Sequence, residues 1–299
     1  MTLVLVGPGR AGRAFARSWT GAGGALVLAG RDVSAARRFA TELPRVDARG
    51  LEADAPLSAD VLVLAVPDDA LGPLAARIAS RGPWRFAFHF SGALSGGVLA
   101  PLSAAGAALG SLHPLRAFTG LPQDDWQNAF VAVEGEPRAE DAAEAICRRI
   151  GARPHRIPAE GKPLYHLAAT LAAGGSASLL SIAAGLWSDA GLEEEEGRVA
   201  LAGLAATAVE AVGRLPFDAA LTGPVARRDV ATVRLHRAAL AGRAELASLY
   251  AVLAKETLRR TPGRGREREI SEILGLSANG GPSQSKGTGK KPDTPPPRG

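Results

Sequence analysis

Two histidines occur where acid–base chemistry could be carried out. His113 follows an apolar run in the segment SLHPL, and His166 follows Tyr165 in the segment LYHLAA. An imidazole exchanges its proton near neutral pH, so either side chain could act as a general acid or base. Each could instead serve the fold, His113 by bonding to a loop backbone and His166 as a satisfied core histidine. A third candidate is Arg227 in TGPVARRD, whose guanidinium could anchor an anionic substrate.

The strongest motif is glycine-rich and stands near the N-terminus. It reads GPGRAG over residues 7–12 and lies between an apolar run and a helical pattern. In a dinucleotide-binding βαβ unit, Gly7 would make the tight turn, Gly9 would face the pyrophosphate, and Gly12 would let the helix pack on the strand. The free N–H groups of the helix N-terminus, where Arg10 and Ala11 stand, would face the phosphates. A purely structural turn is the alternative.

The residues after the second apolar run indicate which dinucleotide would bind. NAD sites usually carry an acidic side chain there for the ribose 2′-hydroxyl, whereas a guanidinium suits the 2′-phosphate of NADP. This chain has Arg31 and then Asp32, and Arg37 and Arg38 follow about one helical turn later. The pattern favours NADP, while Asp32 keeps NAD open. Arg31 could also be only a solvated residue that flanks a helix.

Short polar turns follow two further apolar runs. Val66, Pro67 and Asp68 end the run VLVLAV, and Ser91 and Gly92 end the run FAFHF. In an open parallel sheet the ligand crevice lies at the carboxyl ends of the strands. We therefore expect Pro67 to shape a loop under the cofactor and Ser91 to donate a hydrogen bond to a phosphate or carboxamide. Ordinary turns between strand and helix are the alternative at both places.

Strands and helices alternate through the first half of the chain. Apolar runs typical of buried strands occupy Leu3–Val6, Ala25–Ala29, 61–66, Phe86–Phe90, Ala107–Leu112 and Phe130–Val133. Helical patterns occupy Arg10–Thr20, Ser34–Leu43, about 70–80 and Arg138–Ile150. This alternation predicts an α/β fold, a doubly wound parallel sheet of the Rossmann type, over residues 1–157.

The composition changes after residue 157. Helix-forming residues dominate residues 158–261, and breaks near Gly191, Pro216 and Gly223 divide them. This pattern predicts an all-helical second domain. Glycine, proline, serine and lysine dominate residues 262–299, which lack the apolar residues needed for a core. We expect this tail to be disordered.

The composition is that of a globular protein in a reducing environment. Of the 299 residues, 46% are hydrophobic and 22% are charged, and Cys147 is the single cysteine, which excludes an internal disulfide. The N-terminus runs into a strand pattern without the charged segment and cleavage site of a signal peptide. We therefore expect a cytoplasmic location. Carboxylates and histidines lack the spacing of metal ligands, so no metal site is expected.

The basic charge is concentrated at the C-terminus. Residues 262–299 carry seven basic and four acidic side chains, and so supply +3 of the net charge of +5. Aromatic residues make up 5% and do not interleave with basic ones, so we expect no nucleic-acid partner. The uncharged stretch Pro163–Ser188 is long enough to span a membrane, but its alanine-rich composition predicts a buried core helix, and no membrane partner is expected.

Six motifs occur in an order that resembles a known family. They are GPGRAG, AVPDDAL, HFSGALS, SLHPLRAF, LYHLAA and LTGPVARRDVATVRLH. Over residues 1–258 the chain resembles the bacterial Rossmann-like proteins with a DUF2520 C-terminal domain. These are described as NADP-dependent oxidoreductases related to the F420-dependent NADP reductase, pyrroline-5-carboxylate reductase and 6-phosphogluconate dehydrogenase group. The family's substrate is unassigned.

The resemblance implies how the second half of the chain is used. The helical domain would pack against the cofactor crevice, where hydride transfer to or from a small anionic metabolite would occur, and would form a homodimer. In the LTGPVARRD loop, Gly223 and Pro224 would end one helix and Asp229 would begin the next. Arg227 would then be free to point at an anionic group.

The chain departs from the family pattern at two positions. Arg228 stands where the family usually has a glycine, and Gly174 stands where it usually has an asparagine. If that asparagine contacts the substrate or the nicotinamide in relatives, this chain lacks the contact. A non-catalytic NADP-binding sensor or regulatory protein is therefore the alternative function.

Overall fold

The chain folds into two compact units. A computed structural model describes residues 2–51, 56–57 and 59–276. By its contacts the chain divides after Leu179. The first unit holds an eight-stranded sheet with helices on both faces, and the described part of the second unit is helical.

The sheet has the doubly wound arrangement. Its strands are β1 (Thr2–Val6), β2 (Ala25–Gly30), β3 (Val46–Gly50), β4 (Val61–Leu64), β5 (Phe86–His89), β6 (Ala108–Pro114), β7 (Phe130–Gly135) and β8 (Arg153–Arg156). Their spatial order is β3-β2-β1-β4-β5-β6-β7-β8. Neighbouring strands are parallel except β6 and β7, which are antiparallel. The predicted α/β fold is confirmed, with two final strands that run against the other six.

The central strands fill two cores with alternating side chains. Leu3 and Leu5 pack on one face of the sheet, and Val4 and Val6 pack on the other. Because helices cover both faces, both sets of side chains must be apolar, which makes each central strand a continuous apolar run.

The strands β3 and β8 lie at the two edges of the sheet. Their sequences, VDARG and RPHR, are polar and largely exposed. An edge strand needs little apolar surface because one of its sides faces solvent. No apolar run therefore marks either strand, and both escape the sequence pattern.

Six α-helices follow the strands in the first unit. They are α1 (Arg10–Gly21), α2 (Val33–Ala40), α3 (Asp68–Ile78), α4 (Ala100–Ser103), α5 (Pro137–Arg149) and α6 (Lys162–Thr170). Aromatic rings hold α1 in place: the ring of Phe15 lies 5.2 Å from that of Trp126, in the segment between β6 and β7, and Trp19 is fully buried. This packing fixes the start of α1, where the glycine-rich turn lies.

The remaining helices follow α6 with the predicted breaks. A π-helical turn, Leu171–Gly175, leads into α7 (Ser176–Asp189). The others are α8 (Glu194–Arg214), α9 (Phe217–Ala220), α10 (Gly223–Arg227), α11 (Val230–Ala239), α12 (Ala244–Arg260) and α13 (Glu267–Ile273). The breaks near Gly191 and Pro216 are confirmed. The expectation that Gly223 and Pro224 end a helix is wrong, because Pro224 occupies the first turn of α10, where its missing N–H is harmless.

One long helical stretch is apolar and largely uncovered. The helical stretch Ala159–Asp189 passes, by length and composition, as a possible membrane span, because an 18-residue window within it has a mean hydropathy of 1.6. Only 6% of that window is buried, so the expectation of a buried core helix is wrong for the single chain. The side that carries Lys162 packs on the sheet, and most of the other side chains are exposed.

The start of the predicted tail is ordered. Helix α13 falls within residues 262–299, where we expected disorder, and buries Ile270 and Leu274 against Val230 and Val233 of α11. The motif ISEILGL supplies enough apolar surface for one helix, although its surroundings are rich in glycine and charge. Residues 277–299 lie outside the described part of the chain.

Candidate functional site

The glycine-rich turn has the geometry that a bound pyrophosphate requires. Gly7 has a φ of +97°, and a Cβ on it would lie 2.4 Å from the carbonyl oxygen of Ala65. A Cβ on Gly12 would lie 2.4 Å from the carbonyl oxygen of Gly7, whereas a Cβ on Gly9 would meet nothing within 4 Å. Two glycines are thus required by the fold, and the third leaves room for a phosphate. The residues present fit a dinucleotide.

A cavity of about 670 Å³ opens in front of this turn. The carboxyl ends of β1, β2 and β4 line it, at the point where strand order reverses, which is the usual ligand position in such sheets. Arg10 and Ala11 open α1 directly beside it. The N–H groups of a first helical turn have no partner within the helix and carry the positive end of its dipole.

Arg31 and Asp32 both line this cavity and are both exposed. The Asp32 carboxylate accepts a 2.9 Å hydrogen bond from the N–H of Ala35 and thereby caps α2. Arg31 also lines the cavity and has no hydrogen bond or ion pair to another residue in the described part of the chain. Arg37 and Arg38 lie farther along α2 and are not among the described lining residues.

Arg13 is a cavity residue that the sequence analysis missed. Its Nε donates a 3.0 Å hydrogen bond to the carbonyl oxygen of Pro8, and its guanidinium carbon lies 5.0 Å from the ring centre of Phe39. It therefore stiffens the turn and adds a positive charge to the cavity. Its spacing of four residues from Gly9, one helical turn, is the signal that could have revealed it.

The turns after β4 and β5 are joined by a hydrogen bond. Val66 and Pro67 line the dinucleotide cavity, and Asp68 is the first residue of α3. The Ser91 hydroxyl donates to the Asp68 carboxylate at 2.8 Å and accepts from the N–H groups of Ala93 and Leu94. A hydroxyl has one proton, so the direct donation to a phosphate or carboxamide that we expected of Ser91 is replaced here by the bond to Asp68.

Gly92 lies against both candidate histidines. A Cβ on Gly92 would lie 2.4 Å from Nδ1 of His166 and 2.9 Å from Nε2 of His113. The two imidazole centres are 5.5 Å apart, and the rings are nearly perpendicular. Because Gly92 leaves no side chain between them, the two nitrogens face the same small space at the carboxyl end of β5. His113 lies within β6, not after it as the sequence suggested.

His113 is paired with a tyrosine. Its Nδ1 lies 2.8 Å from the hydroxyl of Tyr165. Burial, followed by the nearby His166 and Lys162, lowers the pKa of His113 to about 4, and burial raises the pKa of Tyr165 to about 12. Both groups are therefore neutral at pH 7, and His113 would act first as a hydrogen-bond partner or base.

His166 brings an unsatisfied nitrogen to the same place. Its Nδ1 is buried and has no hydrogen-bond partner among the described residues. A buried polar atom without a partner is uncommon and points to a ligand or water at that position. Of the two histidines, His166 is therefore the one with an unused hydrogen-bonding nitrogen. The alternative that His166 is a core histidine with satisfied hydrogen bonds did not predict this.

A second cavity, of about 610 Å³, begins at these residues. His113, Tyr165 and His166 form its polar end, and alanines of α6 and the π-helical turn form an apolar wall. Gly174 lies in that turn, is exposed, and would have open space around a Cβ. Gly174, which stands where the family usually has an asparagine, therefore leaves open space and makes no alternative contact there. π-Helical turns are frequent at functional sites.

The two arginines of TGPVARRD differ sharply. Arg227 is exposed and makes no hydrogen bond or ion pair within the described residues. Arg228 is 4% exposed and donates to the carbonyl oxygens of Val225 and Ala226 and to the Thr261 hydroxyl. It has a φ of +59° at the end of α10, a conformation that explains why a glycine would suit this position. Arg228 holds the helices together and cannot serve as a substrate anchor.

The aspartate after these arginines has the role that was predicted for it. Asp229 accepts hydrogen bonds from the hydroxyl and the N–H of Thr232 and caps α11, and these two bonds hold the pKa of its carboxyl below the usual range. The segment GPVARRD therefore consists of the short helix α10, the buried Arg228 that joins neighbouring helices, and the N-cap Asp229.

Two family models match the chain. The Rossmann-like domain matches residues 1–114, and the domain of unknown function DUF2520 matches residues 129–257. No curated protein matches the chain.

Several solved structures share the fold. Protein TM1727 from Thermotoga maritima is 22% identical with a TM-score of 0.66, over 90% of this chain and 98% of that one. BF3122 from Bacteroides fragilis, a proposed NADP oxidoreductase, is 20% identical with a TM-score of 0.70, over 87% and 98%. A reductive aminase from Aspergillus terreus in complex with NADPH and ethyl levulinate is 16% identical with a TM-score of 0.61, over 92% and 98%.

The similar structures and the matching models agree on the fold that carries the site. At these identities the structures establish the shared fold, and the models cover both the glycine-rich turn and the helices that carry Tyr165, His166 and Arg227. The chain thus matches a Rossmann-like domain followed by a DUF2520 domain, in agreement with the family that its six motifs resemble.

Proposed function

We propose that this protein is an NADP(H)-dependent oxidoreductase that transfers a hydride to or from a small anionic metabolite. The observation that carries the proposal is the chain of contacts from the dinucleotide cavity to the histidine pair. Pro67 lines the cavity, the adjoining Asp68 is hydrogen-bonded to Ser91, and Gly92 contacts both imidazoles. A cofactor seated against the glycine-rich turn would therefore reach toward the only buried histidine nitrogen that lacks a partner among the described residues.

The charges at the end of β2 support NADP(H) over NAD(H). Asp32 is engaged as the cap of α2, while Arg31 and Arg13 give the cavity two guanidinium groups. A guanidinium pairs well with the 2′-phosphate that only NADP(H) carries. The NADPH bound in the similar reductive aminase is consistent with this choice.

The bound nicotinamide would supply or accept the hydride. The chain's own residues would bind the dinucleotide, orient the substrate and handle the proton that accompanies the hydride. Neutral His113, hydrogen-bonded to Tyr165, can take up a proton at Nε2 or hold a substrate oxygen or nitrogen. His166 offers Nδ1 to the same space. The cavity beyond them, which alanines, Arg116 and Thr170 line, would leave room for a substrate beside the two imidazoles.

Arg227 supports the anionic preference. It is exposed and has no hydrogen bond or ion pair within the described residues, although its charge helps to lower the pKa of the Asp229 carboxyl, whereas Arg228 is committed to the fold. We propose that Arg227 anchors a carboxylate or phosphate of the substrate.

A titration with both dinucleotides tests the cofactor. NADPH should bind more tightly than NADH, and Arg31→Ala should weaken NADPH about 10- to 100-fold, the loss expected for charge-assisted hydrogen bonds, while NADH changes little. Arg38→Ala is the matched control, because it removes a neighbouring exposed arginine outside the cavity lining. Equal affinity for the two dinucleotides, or an equal loss in both variants, would contradict the NADP assignment.

A turnover screen separates the enzyme from the sensor. Small carbonyl and imine acids would be offered with NADPH, and oxidation at 340 nm (the NADPH absorbance) would be followed. Substrate-dependent oxidation that is lost in His166→Gln supports the oxidoreductase. The open space at Gly174 favours the alternative, and tight NADPH binding without turnover on any substrate would assign the protein as an NADP-binding sensor.

We also propose a homodimer formed through the apolar helices, in the cytoplasm. Leu164, Leu167 and Leu171 are 75%, 53% and 64% exposed, and stand three and four residues apart on one side of the helix. An apolar helical face of this length is covered in stable proteins by another protein surface or by lipid. The charged end of the same stretch at Asp189, paired with Arg243, favours a protein partner. A second copy presents a matching face.

A further inference from the structure

A lysine is fully buried beneath the histidine pair. Lys162, the first residue of α6, has an exposed fraction of 0%. Its Nζ donates hydrogen bonds to the Ser111 hydroxyl at 2.8 Å and to the carbonyl oxygen of Ser91 at 3.2 Å. A buried ammonium is strongly unfavourable unless it is paired and hydrogen-bonded. The neighbouring groups must therefore compensate its charge.

A buried carboxylate supplies that compensation. Glu134 Oε2 lies 4.0 Å from the lysine Nζ and accepts a 2.9 Å hydrogen bond from the Ser111 hydroxyl. The N–H of Gly96 donates to the same carboxylate at 3.0 Å. Ser111 and Glu134 are direct register partners across β6 and β7. Ammonium, hydroxyl and carboxylate thus form a continuous hydrogen-bonded chain that fixes four segments at once.

The hydrogen-bonded chain of Lys162, Ser111 and Glu134 is connected to the two imidazoles in three ways. The carbonyl that Lys162 holds belongs to Ser91, which precedes the glycine that contacts both histidines. Lys162 and His166 stand four residues apart and so share one face of α6. Ser111 and His113 stand two residues apart in β6 and so share one face of the strand.

We propose that Lys162 is a positioning residue for the histidine pair, acting through the Ser91 carbonyl and through the Ser111–Glu134 chain. The hydrogen bonds hold the turn after β5, the strand β6 and the helix α6 in the one arrangement that brings His113 and His166 to the same small space. Lys162 itself does not contact that space. The role of Lys162 rests on the proposed function, because the positions of His113 and His166 matter to the reaction only if these residues handle its proton.

The charge of Lys162 provides a measurable signature. The ionisable groups that face it are Glu134 on β7, Asp68 on α3, His89 on β5, His113 on β6 and His166 on its own helix. Burial lowers the pKa of Lys162 to about 8, while Glu134 and Asp68 oppose this. The ammonium is therefore charged over the range in which His113 titrates.

Removal of that charge should shift the titration of His113. Burial is the largest cause of the lowered pKa of His113, and the charges of His166 and Lys162 add to it. Without the ammonium, protonation of His113 becomes easier, so its pKa should rise. A side chain that only filled space at position 162 would leave this pKa unchanged.

The test is a titration of the histidine ring signals by NMR in the full chain, without substrate. In Lys162→Met we expect the midpoint of His113 to rise by a few tenths of a pH unit, since the ammonium ranks after burial and His166 among the causes, and the His166 signal to shift or broaden. Lys162→Arg, which keeps the charge, should return the midpoint toward that of the wild type. The signals are assigned by single His→Gln variants.

A second variant keeps the test possible if Lys162→Met does not fold. Lys162→Met/Glu134→Gln removes both charges and leaves no unpaired carboxylate in the core, so it should fold where the single variant does not. The same rise is expected, because Glu134 is not among the groups that shift His113. An unchanged His113 midpoint in the folded variants would overturn the proposal. The measurement involves no turnover, so its outcome is independent of whether a substrate is found.

Discussion

His113 Nδ1 and the Tyr165 hydroxyl are 2.8 Å apart, and the rings meet edge to face with their centres 5.5 Å apart. At neutral pH the phenol carries its proton and the imidazole carries one, so one of them donates and the other accepts. When Tyr165 donates, the second nitrogen of His113 carries its proton toward Gly92. When Nδ1–H donates to Tyr165 instead, Nε2 is free to take up a proton, so the direction of this bond decides whether His113 offers the proposed substrate a donor or an acceptor.

Loss of the phenol hydroxyl should reduce turnover more than binding. In Tyr165→Phe we expect kcat to fall about tenfold, the effect of one lost hydrogen bond of about 1.4 kcal/mol, with NADPH affinity unchanged. Steady-state kinetics and a fluorescence titration measure the two quantities. The chain offers a matched control, because Tyr250 makes the same kind of bond to His236 in the other unit, at 3.0 Å. Tyr250→Phe should leave kcat unchanged, and equal effects of the two variants would refute the assignment.

Two glycines of the N-terminal motif should respond oppositely to alanine. Gly9 has a φ of −74° and open space around a Cβ, so Gly9→Ala should fold normally yet lose most NADPH binding, because the methyl group occupies the place of the pyrophosphate. In Gly12→Ala the methyl group would lie 2.4 Å from a carbonyl oxygen, so the free energy of unfolding should fall by about 1–3 kcal/mol.

Thermal unfolding and NADPH titration together separate these effects. Normal stability with weak binding in Gly9→Ala, and low stability in Gly12→Ala, is the expected pair of results. Tight NADPH binding by a folded Gly9→Ala protein would show that no pyrophosphate lies against the turn.

Buried neutral histidines should make the fold sensitive to mild acid. His89 is fully buried, accepts from the N–H of Ser91 and bonds to the carbonyl of Ser95, and burial lowers its pKa to about 4. The unfolded chain, with a histidine pKa of about 6.5, takes up the proton first. Stability is therefore complete above about pH 6.5 and declines as the pH falls toward 4, by up to about 1.4 kcal/mol per pH unit for this group.

Urea unfolding between about pH 7 and 4.5 measures that slope. His89→Gln, which cannot be protonated, should be less stable near pH 7 but should lose less stability on acidification. His155→Gln is the control, since His155 is exposed on β8. If His89→Gln shows the same acid slope as the control, His89 does not hold a lowered pKa in the folded protein.

The sequence predicts best those features that local chemistry determines. Continuous apolar runs mark the buried strands, and glycine alone can occupy positions such as Gly7, so the sheet and the cofactor turn were foreseeable. The edge strands β3 and β8 carry no apolar run, and the sequence did not predict them. The exposure of the helix that carries His166 was also predicted wrongly, because hydropathy does not reveal which surface covers a helix.

The contacts within the site depend on register and could not be predicted. Ser111 meets Glu134 only because β7 runs antiparallel to β6, and the helical pattern alone does not show that Lys162 reaches them. Arg228 illustrates the same limit: the sequence shows only an arginine where the family usually has a glycine, whereas the backbone conformation and buried partners of Arg228 show that it holds helices together. The residue types therefore indicate which side chains could belong to the site, and the tertiary contacts show which of them do.

The exposed leucines of α6 give the assembly proposal a direct test. If a second copy covers Leu164 and Leu167, replacement of both by glutamate should place charges in the interface and convert a dimer to a monomer. Light scattering coupled to size-exclusion chromatography measures the mass.

The control for that variant is Leu121→Glu, which alters a leucine that is 50% exposed on a loop of the sheet unit and should leave the mass unchanged. A monomeric wild-type protein, or a double variant that stays dimeric, would contradict the dimer. Co-sedimentation of the wild type with lipid vesicles would instead assign the apolar face to a membrane, since its length and mean hydropathy would allow either. The dimer is the expected result because the side of α6 that carries the buried Lys162 and His166 already has a protein environment.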